Sequence, residues 1–387
     1  MTTNPDILDG FGGRKRVTVI GPVFPYRAGI AYCTTRLAEE LAKHASITII
    51  SFKRQFPRLF YPGGDDVDPS LIEKTPPVAR FELDVMNPLS WLREGGRLAE
   101  ERPDVVIFVW WIWVWAIPYL AIMSRLPQNT KIVLQCHNVG HKEPAAWKDW
   151  LTRRVFRLAN VLVVHAETER RDAEILLGET TTTEICKTFL PVHELGREMP
   201  SRDDARNKLG LAPDERVALF FGHVRPFKGL DIAMRAWQRI ATDARLVVAG
   251  EVWWDDEEKY RRLAQELNIK SSTLFEFRFI PDAEIADYFA ATDVVLAPYR
   301  AEAQSGVALT AFHFSRPVIA TTVGGFPELI EEGVNGMLVP PEDPSALAGA
   351  IDRFFNDGDR AAMEEGAAKT ARELSWERYA LEFAQLL

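Results

Sequence analysis

In the stretch Val217-Ala-Leu-Phe-Phe-Gly-His-Val-Arg-Pro-Phe-Lys-Gly-Leu-Asp231, an apolar run stops at Gly222, two cations three residues apart follow, and a helical pattern begins. Strand, loop and helix in that order are the unit of a parallel sheet joined by crossover helices. The same alternation recurs outward from it. Downstream, residues 245–248, 274–277, 294–296 and 318–320 read as further strands with helical patterns between them. Upstream, a separate series of strands is predicted at residues 17–20, 47–50, 105–108, 131–134 and 161–164, with amphipathic segments such as 34–43 between. Two such series predict an α/β protein of two Rossmann-like domains. The polar stretch from Pro191 to Ser201 fits a hinge, which places the domains at residues 1–195 and 196–370. Beyond Pro340-Pro341 the pattern is helical to the end, and the segment 371–387 is apolar enough from Trp376 onward to dock on one of the two bodies.

A length of 387 residues exceeds one ordinary domain of roughly 100–200 residues, and each half can bury its own core. Hydrophobic residues at 47% and charged residues at 26% exclude a disordered chain. The net charge of −9, with no long Lys/Arg run, argues against a nucleic-acid partner, because neutralising phosphates takes a basic face. An anionic ligand therefore needs a local basic pocket. Cys33, Cys136 and Cys186 form no close pair, so neither a disulfide framework nor a thiolate metal site is expected. The polar first sixteen residues lack the apolar stretch of a secretory signal, and the expected location is the cytoplasm. The uncharged stretch from Val105 to Met123, rich in tryptophan, has the length of a membrane span. Its β-branched start and Pro118 instead predict a buried strand followed by a loop and a helix. A tryptophan-rich loop at a membrane surface stays open, since indole rings favour that interface.

In doubly wound sheets, ligands sit beyond the carboxyl ends of the strands, so the loops after the runs are where chemistry belongs. Arg225 brings a fork of donors and Lys228 a mobile point charge; together they suit a clamp that neutralises a leaving diphosphate without a metal. Solvated surface charge is the alternative, against which Pro226 and Gly229 constrain the loop. A second stretch, Pro298-Tyr-Arg-Ala-Glu-Ala-Gln-Ser-Gly-Val-Ala-Leu-Thr310, leaves a strand and enters a helix near Ser305. If Gln304, Ser305, Gly306 and Val307 open that helix, their N–H groups point at the same anion. An ordinary N-cap by Ser305 is the competing account. In the loop from Gly21 to Ile30, Gly29 either admits a ligand to backbone N–H groups or only makes a tight turn.

The loop with Arg225 and Lys228, the block from Glu302 to Pro317-Val-Ile-Ala320, Gly324-Gly325-Phe-Pro-Glu328 and Asn335-Gly336-Met-Leu-Val339 together resemble the family 4 (GT4) retaining glycosyltransferases of the GT-B fold. The resemblance covers nearly the whole chain. In the N-terminal half it rests on Ala28-Gly29, similar to the family's Gly-Gly loop, and on Cys136-His137-Asn138, similar to its histidine after a strand. It implies two Rossmann-like domains facing across a cleft, with the last helix often returning to the first. It implies transfer of a hexose-type sugar from a nucleoside diphosphate sugar, UDP-sugar rather than GDP-sugar, to a saccharide or lipid-linked acceptor with retention of configuration. No cofactor or metal is implied, and the setting is envelope polysaccharide or glycolipid biosynthesis at the inner face of the plasma membrane.

By the same resemblance Arg225 and Lys228 stabilise the departing diphosphate, while Gly29, Gly222 and the stretch Gln304 to Val307 line the donor. His137 sits near the transferred sugar, and Phe279-Ile280-Pro281 places Ile280 near the base. Glu302 matches the first of the family's two glutamates separated by seven residues, whereas Thr310 stands at the second. The residue that holds the ribose hydroxyls in the family is here a single neutral hydroxyl.

A retaining transfer needs either a carboxylate nucleophile or same-face attack on an oxocarbenium-like centre. No carboxylate in these motifs stands out as a nucleophile, whereas cations and amides aimed at developing phosphate charge lower the barrier directly. Asp66-Val67-Asp68 matches the carboxylate pair of metal-dependent transferases but follows Gly63-Gly64 and reads as a surface loop. His165 and His223, each just after a strand, either face a ligand or are satisfied internally. Residues 147–156, with Arg153, Arg154 and Arg157 beside Trp150, either make a peripheral membrane contact or pack as a helix of the first domain. Two rival readings remain. One is a sugar-nucleotide epimerase, which the Pro298 to Pro317 block does not support; the other is a scaffold protein without turnover, motivated by Thr310.

Overall fold

The computed structural model describes residues 14–27, 29–56, 66–140, 145–194, 199–301 and 304–387. The chain divides into two compact units, residues 1–189 with 376–387 and residues 190–375. The division falls at 189/190 rather than 195/196, because Leu190, Val192 and His193 are already buried and the Val192 N–H donates to the Leu374 carbonyl at 3.0 Å. Near the C-terminus it falls after Ser375 rather than at 371, since the helix Arg360–Glu373 runs unbroken through that point.

The first unit is a seven-stranded parallel sheet. Its strands are β1 (Arg16–Ile20), β2 (Ser46–Arg54), β3 (Ala79–Asp84), β4 (Val105–Trp110), β5 (Lys131–Cys136), β6 (Val161–Val164) and β7 (Glu184–Lys187), in the order β3-β2-β1-β4-β5-β6-β7. All six residues of β4 are buried, as a central strand covered on both faces requires. The tryptophan-rich stretch continues as a turn of 3-10 helix, Trp113–Trp115, and the helix Ala116–Met123. Trp110, Trp115 and Tyr119 are core residues, and the Tyr119 hydroxyl donates to the Val109 carbonyl at 2.9 Å. Among the described residues no helix is long and apolar enough to cross a membrane. The C-terminal helix Trp376–Ala384 belongs to this unit, burying Trp376, Tyr379, Ala380 and Phe383 and packing on the helix Gly29–Ala42.

The second unit is a six-stranded parallel sheet of β8 (Val217–Phe221), β9 (Arg245–Ala249), β10 (Thr273–Glu276), β11 (Val294–Ala297), β12 (Val318–Thr321) and β13 (Gly336–Val339), in the order β10-β9-β8-β11-β12-β13. The strand order reverses beside β1 in one sheet and beside β8 in the other. At such a reversal the connections leave toward opposite faces of the sheet, and ligands of doubly wound sheets bind outside the carboxyl ends of the strands there. Three strands not read from the sequence, β3, β7 and β13, all lie at sheet edges. In β3 and β7 the edge position tolerates polar residues, as in Ala-Arg-Phe-Glu-Leu-Asp of β3, so no continuous apolar run marks them, whereas β13 is a short apolar run, Gly-Met-Leu-Val.

Candidate active site

In the second unit the loops after β8 and β11 leave adjacent strands at the reversal, where Val294 pairs with Ala218 and Val295 with Leu219. The two loops are stitched together. Pro226–Lys228 forms one turn of 3-10 helix, and Gly229 follows at φ 70°, where a Cβ would stand 2.1 Å from the Pro298 carbonyl oxygen. Only glycine fits that crossing. Arg300 adds the fastening: its N–H donates to the Phe227 carbonyl and Nη1 to the Pro226 carbonyl, both at 2.7 Å, while its guanidinium grips both Asp231 oxygens at 2.8 Å. Burial works to raise the pKa of Asp231, but the hydrogen bonds and charge of Arg300 outweigh it and hold the carboxyl below its ordinary value.

The cations expected to meet the diphosphate lie against rings. Lys228 Nζ is 5.1 Å from the centre of the Tyr299 ring and beside Gly222, where a Cβ would come within 3.7 Å of it and 3.3 Å of Val307 Cγ2. The Arg225 guanidinium carbon is 4.8 Å from the centre of one Trp253 ring and 4.7 Å from that of Trp254, and His223 stacks on Trp253 at 4.1 Å. Aromatic faces hold a cation in place while leaving its charge intact for an anion.

The helix Gly306–His313 opens against this loop, with Ser305 as its N-cap accepting from the Ala308 N–H at 3.4 Å. The N–H groups of Gly306 and Val307 come first in the helix and have no intrahelical acceptor. The ring of buried His193 lies where a Gly306 side chain would be, since a Cβ there would meet His193 Cε1 at 2.6 Å. Thr310 is buried, and its hydroxyl donates back to the Gly306 carbonyl at 2.8 Å.

In the first unit, His137 follows β5, and its N–H donates to the Trp110 carbonyl at 2.8 Å, carrying the β4–β5 ladder one residue further. Its half-buried ring stacks on that of His165 at 5.5 Å and 24°. His165 is satisfied internally, with Nδ1 at 3.0 Å from the Cys136 carbonyl and Nε2 at 3.1 Å from the Tyr379 hydroxyl. Burial pushes its pKa down to about 4 against the opposing effect of the Cys136 bond, so the ring is neutral at pH 7. Gly29 opens the helix Gly29–Ala42, after a loop in which Phe24 N–H donates to Thr35 Oγ1 at 3.0 Å. Asp66-Val67-Asp68 braces that loop rather than lying on the surface. Asp68 is buried, accepts from the Ser70 N–H at 2.9 Å and donates its own N–H to the Pro25 carbonyl at 2.9 Å, while the Arg27 N–H donates to the Asp66 carbonyl.

The second unit thus brings together Gly222, Lys228, Ser305, Gly306, Val307 and Thr310, with Gln304 just before the cap; the Arg225 guanidinium, from the same loop as Lys228, lies against Trp253 and Trp254, and Gly29 and His137 fall in the first unit. Ile280 is a core residue, so only its main chain is left to face a ligand. Glu302 and Ala28 lie outside the described residues. Trp253-Trp254 lies in the loop after β9, where the same strand-end rule applies. His193 sits within the stretch whose composition suggests a hinge, and the partners of Arg300 are supplied only by the fold. Among the described residues no cluster of three His, Cys, Asp or Glu side chains is arranged to hold a metal ion.

Two Rossmann-like units with parallel sheets and a ligand edge at each strand reversal define the GT-B class. Residues 28–180 match the family model described as a glycosyl transferase 4-like domain, and residues 215–357 match that of glycosyl transferases group 1. D-inositol 3-phosphate glycosyltransferase of Acidothermus cellulolyticus is 31% identical over 312 residues, covering 76% of this chain and 64% of that protein. The protein of the same name from Thermobispora bispora is 29% identical over 316 residues, covering 78% and 70%. Among solved structures, sucrose-phosphate synthase of Thermosynechococcus elongatus shares the fold with a TM-score of 0.75 at 19% identity over 96% of this chain and 98% of that one. Anabaena HepE in complex with UDP-glucose does so with a TM-score of 0.74 at 16% identity over 96% and 100%. The chain belongs to the family 4 glycosyltransferases of the GT-B fold.

Proposed function

We propose that the protein is a retaining glycosyltransferase that moves a hexose-type sugar from a nucleoside diphosphate sugar to a saccharide or lipid-linked acceptor. The observation that carries this reading is the convergence of the Arg225–Lys228 loop and the opening of the helix Gly306–His313 at the strand reversal of the second unit. Two cations and two helix-opening amides then serve one anionic group. As the bond from the anomeric carbon to the diphosphate oxygen breaks, negative charge grows on that oxygen, and donors fixed in advance stabilise it without reorganisation. The acceptor oxygen attacks the same face, and its proton passes to the departing phosphate. His137 beside the transferred sugar and Glu302 on the donor are roles carried by the family resemblance.

The structures of HepE with UDP and UDP-glucose support a UDP-sugar as donor. The name borne by the relatives makes a phosphorylated polyol, D-inositol 3-phosphate, the first acceptor to test. The carboxylate of Asp68 is committed to a cap, in keeping with a metal-independent transfer. Exposed Trp147 and Trp150, with Lys148 and Arg154 lying against their rings, suit contact with anionic lipid headgroups at the inner face of the plasma membrane, where envelope polysaccharides and glycolipids are assembled.

A second reading, a donor-binding scaffold without turnover, is favoured by Thr310, whose hydroxyl is turned into its own helix. A thermal-shift screen against UDP, GDP, ADP and their sugar conjugates separates these outcomes, because a ligand that prefers the native state raises its stability. A selective shift with UDP compounds, followed by UDP release in the presence of acceptor, is expected. A shift without turnover supports the scaffold, and no shift with any nucleotide sinks the diphosphate site.

A further inference from the structure

We propose that Tyr379 and His165 are positioning residues for His137, through which the C-terminal helix holds the His137 ring in place. The inference rests on the reading that puts His137 beside the transferred sugar. The Cys136 carbonyl only accepts, so His165 Nδ1 carries the ring proton and Nε2 presents a lone pair. The Tyr379 hydroxyl therefore donates to Nε2 at 3.1 Å, and its oxygen accepts from Gln135 Nε2 at 3.0 Å. A single arrangement of protons satisfies all three bonds, and turning the His165 ring breaks two of them. The His165 N–H is held as well, donating to Glu169 Oε2 at 3.2 Å.

The network grips the His137 ring from two directions. Gln135 and Cys136 are the last residues of β5, immediately before His137, so the backbone that carries the ring is tied to Tyr379 and His165. The ring itself lies on the face of His165 at 5.5 Å, and an immobile partner narrows the orientations open to it. Tyr379 is fully buried, with the rings of Trp376, Phe189 and Phe383 each 5.7 Å away, so it has no room to follow a displaced His165. The hydroxyl comes from a helix 214 positions along the chain from His165, so this part of the first unit is complete only once the C-terminal helix has docked.

The test uses the full-length protein with 15N-labelled histidine, the His137 and His165 ring signals being assigned through His137→Gln and His165→Gln. Tyr379→Phe removes one hydroxyl, leaves the Nδ1–H bond to the Cys136 carbonyl in place, and is expected to shift the His165 Nε2 signal, which loses its donor, and to move the His137 ring signals. Thr188→Val is the control for a loosened helix, because it removes the 2.8 Å hydrogen bond from Thr188 Oγ1 to Glu382 Oε2 without touching His165. It should leave both rings unchanged. With UDP-glucose as donor and UDP release as readout, Tyr379→Phe should lower kcat about tenfold while KM stays within about twofold, as loss of orientation rather than of binding requires. His137 signals that are unchanged in Tyr379→Phe, or that move as far in Thr188→Val, overturn the proposal. Parental UDP release by His137→Gln would instead overturn the role of His137, a failure that the ring signals keep separate.

Discussion

Acidification should unfold this protein through its buried histidines, and His165 allows the size of the effect to be worked out. In the unfolded chain the ring takes a proton near the ordinary value of 6.5, whereas burial holds the folded value at about 4. Between those values the unfolded state binds more protons than the native state. The stabilisation is therefore fully present above about pH 6.5 and is lost as pH falls toward 4. Each pH unit across that window is worth about 1.4 kcal/mol, so roughly 2 kcal/mol is lost by pH 5 and about 3 kcal/mol near pH 4. Against a native stability of about 5–15 kcal/mol, that is a large fraction. The assay is urea unfolding between pH 7 and pH 5, followed by circular dichroism, in the parent and in His165→Gln. The variant loses the hydrogen bonds at every pH but no longer takes up the proton, so its deficit relative to the parent should shrink by about 2 kcal/mol over that range. Parallel stability curves for the two proteins would refute the argument, since they would mean that His165 is not held neutral by burial.

Arg225→Ala and Lys228→Ala should each cut UDP-sugar turnover by about a hundredfold or more and weaken the UDP thermal shift, as removal of a preorganised donor does elsewhere; normal activity in both would misplace the diphosphate. Gly229→Ala should cost about 3 kcal/mol or more in urea unfolding, because left-handed strain adds to a Cβ placed 2.1 Å from the Pro298 carbonyl oxygen. An unaltered midpoint would show that the two loops are not crossed so closely. Thr310→Val should leave the UDP shift nearly unchanged and cost about 1 kcal/mol of stability, since its hydroxyl serves the Gly306 carbonyl. Loss of UDP binding in that variant would restore Thr310 as a ligand contact.

Central strands were legible because burial on both faces leaves an uninterrupted apolar run, as in Val-Val-Ile-Phe-Val-Trp of β4. Arg225, Lys228 and Gly229 stood out for a related reason, since a loop leaving such a strand carries its chemistry and its turn residues within a few positions. Edge strands such as β7 carry no such pattern, because one flank faces solvent and tolerates Glu184 and Lys187. The partners in the candidate site were beyond reach for a different reason. Arg300 meets Asp231 across 69 positions, His193 occupies the space over Gly306, and Tyr379 meets His165 across 214. By itself, the sequence determined two series of strands, helices and loops, because local burial and turn chemistry are written in neighbouring residues. Only the tertiary structure decided which side chains share hydrogen bonds, because strand order and helix docking bring distant segments together, and no periodicity along the chain records that choice.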